Sequence, residues 1–263
     1  VPALKLIHQV TMQKYIFLDL DDTLFQTLRK CPADVDRDKL KVRAVLSDGS
    51  ENSFATPKQQ WLWDWFNAGF KVVPVTGRDE QAFVRVNLPF TEEVVLNHGA
   101  VILDKQRQVD VEWMDHMMAA LPQYQEKLMT LWHDVEKFIA LEIGYKPRLV
   151  NDFSTTWYGV VKHVDGTEAT LRRLLDQVIR NHPLVADGSL YWHLNGNNLA
   201  VLPKILNKES AVSFLLKKYH QQYPEILTFA AGDSHSDAAF LALCDYSIIP
   251  RHTQLGKRLL DSA

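Results

Sequence analysis

Three times along this chain a short apolar run stops abruptly at a polar residue. Residues 14–18 ("KYIFL") run into Asp19, residues 71–75 ("KVVPV") into Thr76, and residues 226–231 ("ILTFAA") into Gly232 and Asp233. Five or six residues are too few for a buried helix, and continuous rather than alternating apolarity marks a strand covered on both faces. Between the runs the period changes to a helical one. Residues 57–68 place Trp61, Leu62, Trp65 and Phe66 at helical spacing, with Pro57 suited to the first turn and Gly69 to a stop, and this aromatic stripe is expected to pack in the core. A short helix is expected from Asp79, and residues 93–103 ("EVVLNHGAVIL") form an apolar run broken at Asn97–Gly99. Ala211, Val212, Leu215, Leu216 and Tyr219 repeat the helical spacing late in the chain, followed by a helical "SDAAFLALC" and a last short strand, "DYSIIP". Strands alternating with helices specify an α/β fold, a Rossmann-like doubly wound parallel sheet. Pro74 is an objection, since it removes a ladder donor, so it is expected where its missing N–H costs little.

Residues between these α/β portions have another texture. Leu128, Leu131, Trp132, Val135, Phe138 and Ile139 share one helical face, as do Leu171, Leu174, Leu175, Val178 and Ile179; strand-like runs, "TTWYGVVKHV" and "SLYWHL", lie around them. Two one-sided helices on one face of a small sheet make a second domain. The expected division is a core of 12–109 and 194–263 with an inserted α/β domain over 110–193. Residues 1–11, ahead of Met12, are expected to be an extension or cloning remnant outside the fold.

Composition excludes several classes of function. A formal net charge of −3 leaves no basic footprint for a dedicated nucleic-acid binder. No apolar stretch approaches the length of a membrane span, and the N-terminus lacks a secretory signal pattern. Two cysteines, Cys31 and Cys244, are too few for a disulfide framework or a zinc cluster, so both are expected as reduced thiols in a cytoplasmic protein. Neither a calcium EF-hand, a Walker A loop nor a dinucleotide-binding glycine pattern is present.

The polar clusters carry the chemistry. Asp19, Asp21 and Asp22 crowd the end of the first strand, Thr76 ends the second, and Asp233 and Asp237 follow a later one. In an open α/β sheet the crevice outside the strand carboxyl ends is where ligands bind, so these distant segments converge. Several carboxylates in one crevice are unfavourable unless a cation neutralises them, and an oxygen-only donor set suits magnesium, which also binds phosphate oxygens. A lysine from residues 204–208 and a hydroxyl would complete a phosphate cradle. Such a set reads as phosphoryl transfer.

Asp19-Leu20-Asp21-Asp22-Thr23, Thr76-Gly77-Arg78, Lys208 and Gly232-Asp233-Ser234-His235-Ser236-Asp237 resemble, in order, the four motifs of the haloacid dehalogenase (HAD) superfamily of phosphatases. The insertion resembles the C2B-type cap of its Cof-type and sucrose-phosphate phosphatase-like group; "NHGAVI" and "PKILNKESAV" resemble segments of the same group. The resemblance implies that Asp19 is a nucleophile forming an aspartyl-phosphate, and that Asp21 is the acid and base. It further implies that Thr76, Gly77 and Lys208 bind phosphate. Mg2+ would be held by Asp19, the backbone carbonyl of Asp21, Asp233 and, directly or through water, Asp237. Lys204 is the rival to Lys208, and the spacing after Pro203 favours Lys208. Asp22 is expected to be a turn acid, and Ser236 stands where many relatives carry asparagine.

The cap should choose the leaving group. Arg78, Asn97, Arg148, His193 and Asn197 are candidate substrate contacts, with Asn151, Thr155, Thr156 and Lys162 as further polar positions, and "YWHLNGNN" is the most attractive stretch. Amide and hydroxyl groups suit a polyhydroxylated leaving group, and relatives with this cap act on sugar phosphates. The expected partner is a small phosphorylated metabolite, with no nucleic acid and no membrane. Two alternatives stay open: a mutase of the phosphomannomutase type, and a binding or regulatory module on the same fold.

Overall fold

The computed structural model describes residues 12–261, so the expectation for residues 1–11 lies outside the described residues. The chain opens with β1 (Gln13–Leu18), a two-residue β2 (Gln26–Thr27), β3 (Lys41–Val45) and β4 (Glu51–Ala55), then α1 (Pro57–Gly69) and β5 (Lys71–Pro74). Thr56 caps α1 through a reciprocal pair with Gln59, so proline at the first position and the cap together fix where the helix starts. A short α2 (Glu80–Phe83), β6 (Val94–Leu96), β7 (Val101–Leu103) and α3 (Val111–Ala120) follow. Next come α4 (Pro122–Ile139), β8 (Tyr145–Asp152), β9 (Thr155–His163), α5 (Glu168–Leu174), α6 (Pro183–Ala186), β10 (Leu190–Leu194) and β11 (Leu199–Pro203). The chain closes with α7 (Lys208–Gln222), β12 (Ile226–Ala231), α8 (Ala238–Leu241), β13 (Tyr246–Ile248) and α9 (Gln254–Asp261).

The principal sheet is parallel, in the order β13-β12-β1-β5, so the two acid-ending strands are neighbours: Leu18 lies beside Ala231. Register explains why both faces are apolar. Tyr15 and Phe17 face α7, Tyr15 stacking on Tyr219 at 4.1 Å between ring centroids, while Ile16 and its register partner Phe229 face the other side, where Phe229 meets Phe70 at 5.1 Å. Pro74 sits at the end of β5: Val75 donates to Leu18 of β1, so the Pro74 nitrogen faces the β6 side, where donation starts only with Thr76 to Val95. Its missing donor therefore falls just outside that pairing.

The aromatic stripe on α1 is a correction. Trp63 and Phe66 are buried, but Trp61 is 77% exposed and Trp65 53% exposed. At about 100° per residue, positions 59, 63 and 66 share the inward side and 61 and 65 the outward one. Trp65 still touches Phe66 and Phe70 with its ring edges.

A second antiparallel sheet, in the order β10-β11-β9-β8, carries α4 and α5 on one face, with Val161, Leu199 and Val201 packed against Leu131, Trp132, Leu171 and Leu174. A Cβ on Gly159 would fall inside the Trp132 ring, so that strand can approach α4 only with glycine there. Pairing and packing at both ends of the expected insertion bear on its limits. Residues 199–203, assigned to the core, pair with β9 and β10 as a strand of this second sheet. The α3 helix, assigned to the insertion, packs on the core: Trp113 Nε1 donates to Gly99 O at 3.0 Å and its ring meets Phe214 of α7. A separate three-stranded sheet, β2-β4-β3, lies just after the first acidic turn. Its strands mix apolar and charged residues too evenly to stand out by pattern.

Candidate active site

Strand ends assemble the crevice. Asp19 leaves β1 with its N–H on Ala231 O at 2.9 Å, which ties it to the loop after β12. Its carboxylate is buried. Lys208, the first residue of α7, reaches it with Nζ 2.6 Å from Asp19 Oδ1 and equally 2.6 Å from Asp237 Oδ1. Asn207 caps α7 by accepting from Ser210 N, so the helix start and the lysine's position are set by the same turn. Lys204 makes no such contact and stays on the outside. Thr23 Oγ1 lies 3.4 Å from Asp19 Oδ2.

Asp237 serves the loop as much as the lysine. Its Oδ2 accepts from the N–H groups of Asp233 and Ser234 and from Ser234 Oγ, at 2.8–3.1 Å. A Cβ on Gly232 would come within 2.6 Å of Asp237 Cβ, so glycine is what lets the loop close over that carboxylate. Asp19, Asp233 and Asp237 each offer an oxygen within 4.8 Å of the others. Both oxygens of Asp237 are already engaged, whereas Asp233 accepts only a 3.5 Å contact from Asn195 Nδ2.

One ammonium among three buried acids leaves the crevice short of positive charge. Burial, with help from Asp237, raises Asp19 above the ordinary carboxylate range even though Lys208 opposes it. Burial, then Asp19 and Asp237, raises Asp233 likewise. Asp237 goes the other way: burial opposes its charge, but Lys208 and the Ser234 donors hold it low. Lys208 is raised, since the two carboxylates outweigh its burial. An all-oxygen donor set with surplus negative charge fits a hard divalent cation.

Thr76 is buried at the end of β5, its Oγ1 accepting from Arg78 N at 3.2 Å. A Cβ on Gly77 would meet the His98 ring at 2.5 Å, so only glycine allows that turn. Arg78 grips Asp21 with two parallel bonds, Nε–Oδ2 and Nη2–Oδ1 both at 2.7 Å, over the Phe25 ring. Asp22 adopts φ 64° and pairs with Lys30, as expected of a turn acid.

The candidate substrate contacts divide. Arg78 binds Asp21. His193 lies beside His98 at 6.1 Å between ring centroids, and burial pushes it down to about 4, so both imidazoles are neutral near pH 7. Arg148 reaches across to Asp79 at 3.0 Å. Two further candidates are engaged within the protein. Asn97 is fully buried and its Nδ2 donates to Asp152 Oδ2 at 2.7 Å, joining the core to the second sheet. Asn197 accepts from His163 N and donates to His163 O, both at 2.8 Å, which closes a turn within the second sheet. Three residues that sequence reasoning passed over hold the parts together: Asp152 also accepts from Glu80 N at 2.9 Å, Tyr158 OH donates to Gly77 O at 2.8 Å, and Asn195 reaches Asp233. Only Asn195 carried a signal, as part of "YWHLNGNN".

The family model for sucrose-6F-phosphate phosphohydrolase matches residues 12–255, nearly the whole chain. The chain belongs to that family. It is a HAD-type phosphatase, a phosphoric monoester hydrolase. No curated protein sequence matches it significantly. Among solved structures, the phosphatase is similar to the sucrose-phosphatase of Synechocystis, solved with sucrose and phosphate: 12% identity, 95% of this chain and 96% of that one covered, TM-score 0.52. It is also similar to the C-terminal domain of C. albicans trehalose-6-phosphate phosphatase: 14% identity, 87% and 73% covered, TM-score 0.54. At such identities the likeness is one of fold. Among the described residues of the phosphatase, no helix is long and apolar enough to cross a membrane.

Proposed function

We propose that the protein hydrolyses a small sugar phosphate in a Mg2+-dependent reaction through an aspartyl-phosphate on Asp19. The observation that carries this reading is the single Lys208 ammonium held between Asp19 and Asp237, with Asp233 alongside, at the carboxyl ends of neighbouring parallel strands. Asp19 Oδ2, the Asp21 backbone carbonyl and Asp233 would hold the ion. Asp237, with both oxygens engaged, acts by fixing Lys208 and the loop. Bound magnesium would offset the crowded negative charge and screen the phosphate oxygens.

In the first step Asp19 Oδ1, the oxygen not assigned to the ion, attacks phosphorus as Lys208 turns from it to the phosphate, while the bond to the leaving oxygen breaks and Asp21 gives that oxygen its proton. In the second step water attacks phosphorus, the Asp19–phosphorus linkage breaks, and Asp21 takes the water's proton. Arg78 keeps Asp21 aligned between steps, and one of its two bonds must open for the proton to move. Thr76 and the Gly77 turn line the phosphate side, with Lys208 neutralising phosphate and Asp19 together.

The division we favour is a catalytic core of 12–121 and 204–261 and a cap of 122–203. The cap sheet's face away from its helices covers the crevice and selects the leaving group. Phosphate release from a panel of sugar phosphates, with magnesium and with chelator, tests the proposal. Release without any bisphosphate activator supports a hydrolase over a mutase; no release from any member of the panel rejects it.

A further inference from the structure

The cap sheet has two unlike faces. Gly159 and Val161 point to the helices. Tyr158, Val160 and Lys162 therefore point to the crevice, and Tyr158 does so visibly by bonding Gly77 O. Residues opposite one another in antiparallel register share a face, which adds Arg148 (opposite Val160) and Lys146 (opposite Lys162). Two lysines thus stand directly across from each other, with an arginine two residues further along the same strand. Like charges in that relation are destabilising in a sheet.

Among the described residues no carboxylate is bonded to Lys146 or Lys162. The acids on that side are already taken: Asp21 by Arg78 through two bonds and Asp79 by Arg148. Lys162 lies within electrostatic reach of Arg148 and Arg78 and of the acids Asp21 and Asp79; partial desolvation and Arg148 lower its affinity for a proton, with Asp21 opposing them. This surplus of cations sits beside Asp21, on the side where the leaving group must depart.

We propose that Lys146 and Lys162 form a subsite for a second anionic group on the leaving-group side of the substrate, a carboxylate or a phosphate remote from the phosphoryl that is transferred. The substrate class is then a phosphorylated sugar acid or a sugar bisphosphate, not a phosphorylated neutral sugar. This rests on the hydrolase reading above. It makes the cap a charge filter: the unmatched lysines repel one another until an anion lies between them, so binding energy is gained only by a substrate that carries one.

The test compares kcat/KM for three substrates on one hexose skeleton: a hexose 6-phosphate, the matching phosphorylated sugar acid, and a hexose bisphosphate. Preference of at least about tenfold for either anionic substrate is expected, the carboxylate and phosphate arms telling which group is read; each 1.4 kcal/mol is one such factor. In Lys146→Gln/Lys162→Gln that preference should collapse toward unity, in Lys146→Arg/Lys162→Arg it should survive, and raising ionic strength should erode it. A neutral hexose 6-phosphate turned over as well as the anionic pair, or a preference untouched in the glutamine variant, overturns the subsite while leaving the hydrolase intact. Inactivity toward all three and toward an aryl phosphate overturns the hydrolase reading and the subsite with it.

Discussion

The crevice at the strand ends and the inner face of the cap sheet treat charge in opposite ways. In the crevice the charges are buried and held in a bonded network, with an excess of acid left for a cation: Lys208 bridges Asp19 and Asp237, Asp237 is saturated by three further donors, and Asp233 stands beside them with one long contact. On the cap the charges are exposed, and two cations stand opposite each other without a counter-ion. Chemistry on a phosphoryl group requires fixed positions, and a buried hydrogen-bonded network supplies them. Selection of a leaving group requires only that the right substrate complete an incomplete surface.

If the crevice is the reacting centre, the largest effect belongs to Asp19→Asn. The fold should persist, since the amide fills the same volume, while kcat drops at least about a thousandfold, roughly 4 kcal/mol of transition-state stabilisation. Steady-state kinetics alongside circular dichroism reads both; near-normal turnover would remove the contrast with the cap altogether.

Lys208→Met asks what matching is worth. It strands two buried carboxylates, and losing one partner of a buried pair costs about 3–5 kcal/mol. Urea unfolding at neutral pH should show that loss, and the deficit should shrink as pH falls and the stranded acids take up protons. A cost independent of pH would mean that Lys208 does not balance them.

How far this contrast could be read without coordinates follows from the same physics. The crevice was legible because each of its residues must be one of very few types and must follow a strand: Asp19, Thr76, Lys208 and Asp233 all stand where the apolar runs and the cap of α7 place them. The cap's inner face was legible only in part: Arg148 and Lys162 stand among the candidate positions and Lys146 does not, because the three become neighbours only through the pairing of β8 with β9. The internal partners of Asn97 and Asn197 were not legible for a related reason. An amide that ties two segments has the same letter as one that touches substrate, and only its hydrogen-bond partners tell them apart. On α1, two helical faces both carry aromatics, so periodicity alone could not choose between Trp61 and Trp63.

Magnesium binding gives a smaller but sharper handle. Asp19 and Asp233 have folded pKa values raised above their unfolded ones, so in the metal-free protein their ionisation costs stability, and that cost grows as pH rises from the unfolded value to the folded one. A cation relieves it. Magnesium should therefore bind more tightly at higher pH, with protons released, and at a hundredfold excess over its Kd should stabilise the fold by about 2.7 kcal/mol. Calorimetry in buffers of different ionisation enthalpy counts the protons; affinity flat with pH would place the ion elsewhere.

The smallest effect concerns the seam between the two regions. Tyr158→Phe removes one hydrogen bond from cap to Gly77, worth about 1 kcal/mol, and should raise KM several-fold with little change in kcat. A fall in kcat without a change in KM would instead assign Tyr158 to the chemistry.

Covalent attachment is where the proposed reaction can be caught. Enzyme quenched during turnover with substrate and magnesium, then treated with borohydride, should yield homoserine in place of Asp19 in the peptide that spans β1. Without substrate the peptide should be unchanged. Steady turnover with residue 19 never reduced, or with the phosphoryl group found on another side chain, would contradict a nucleophilic Asp19.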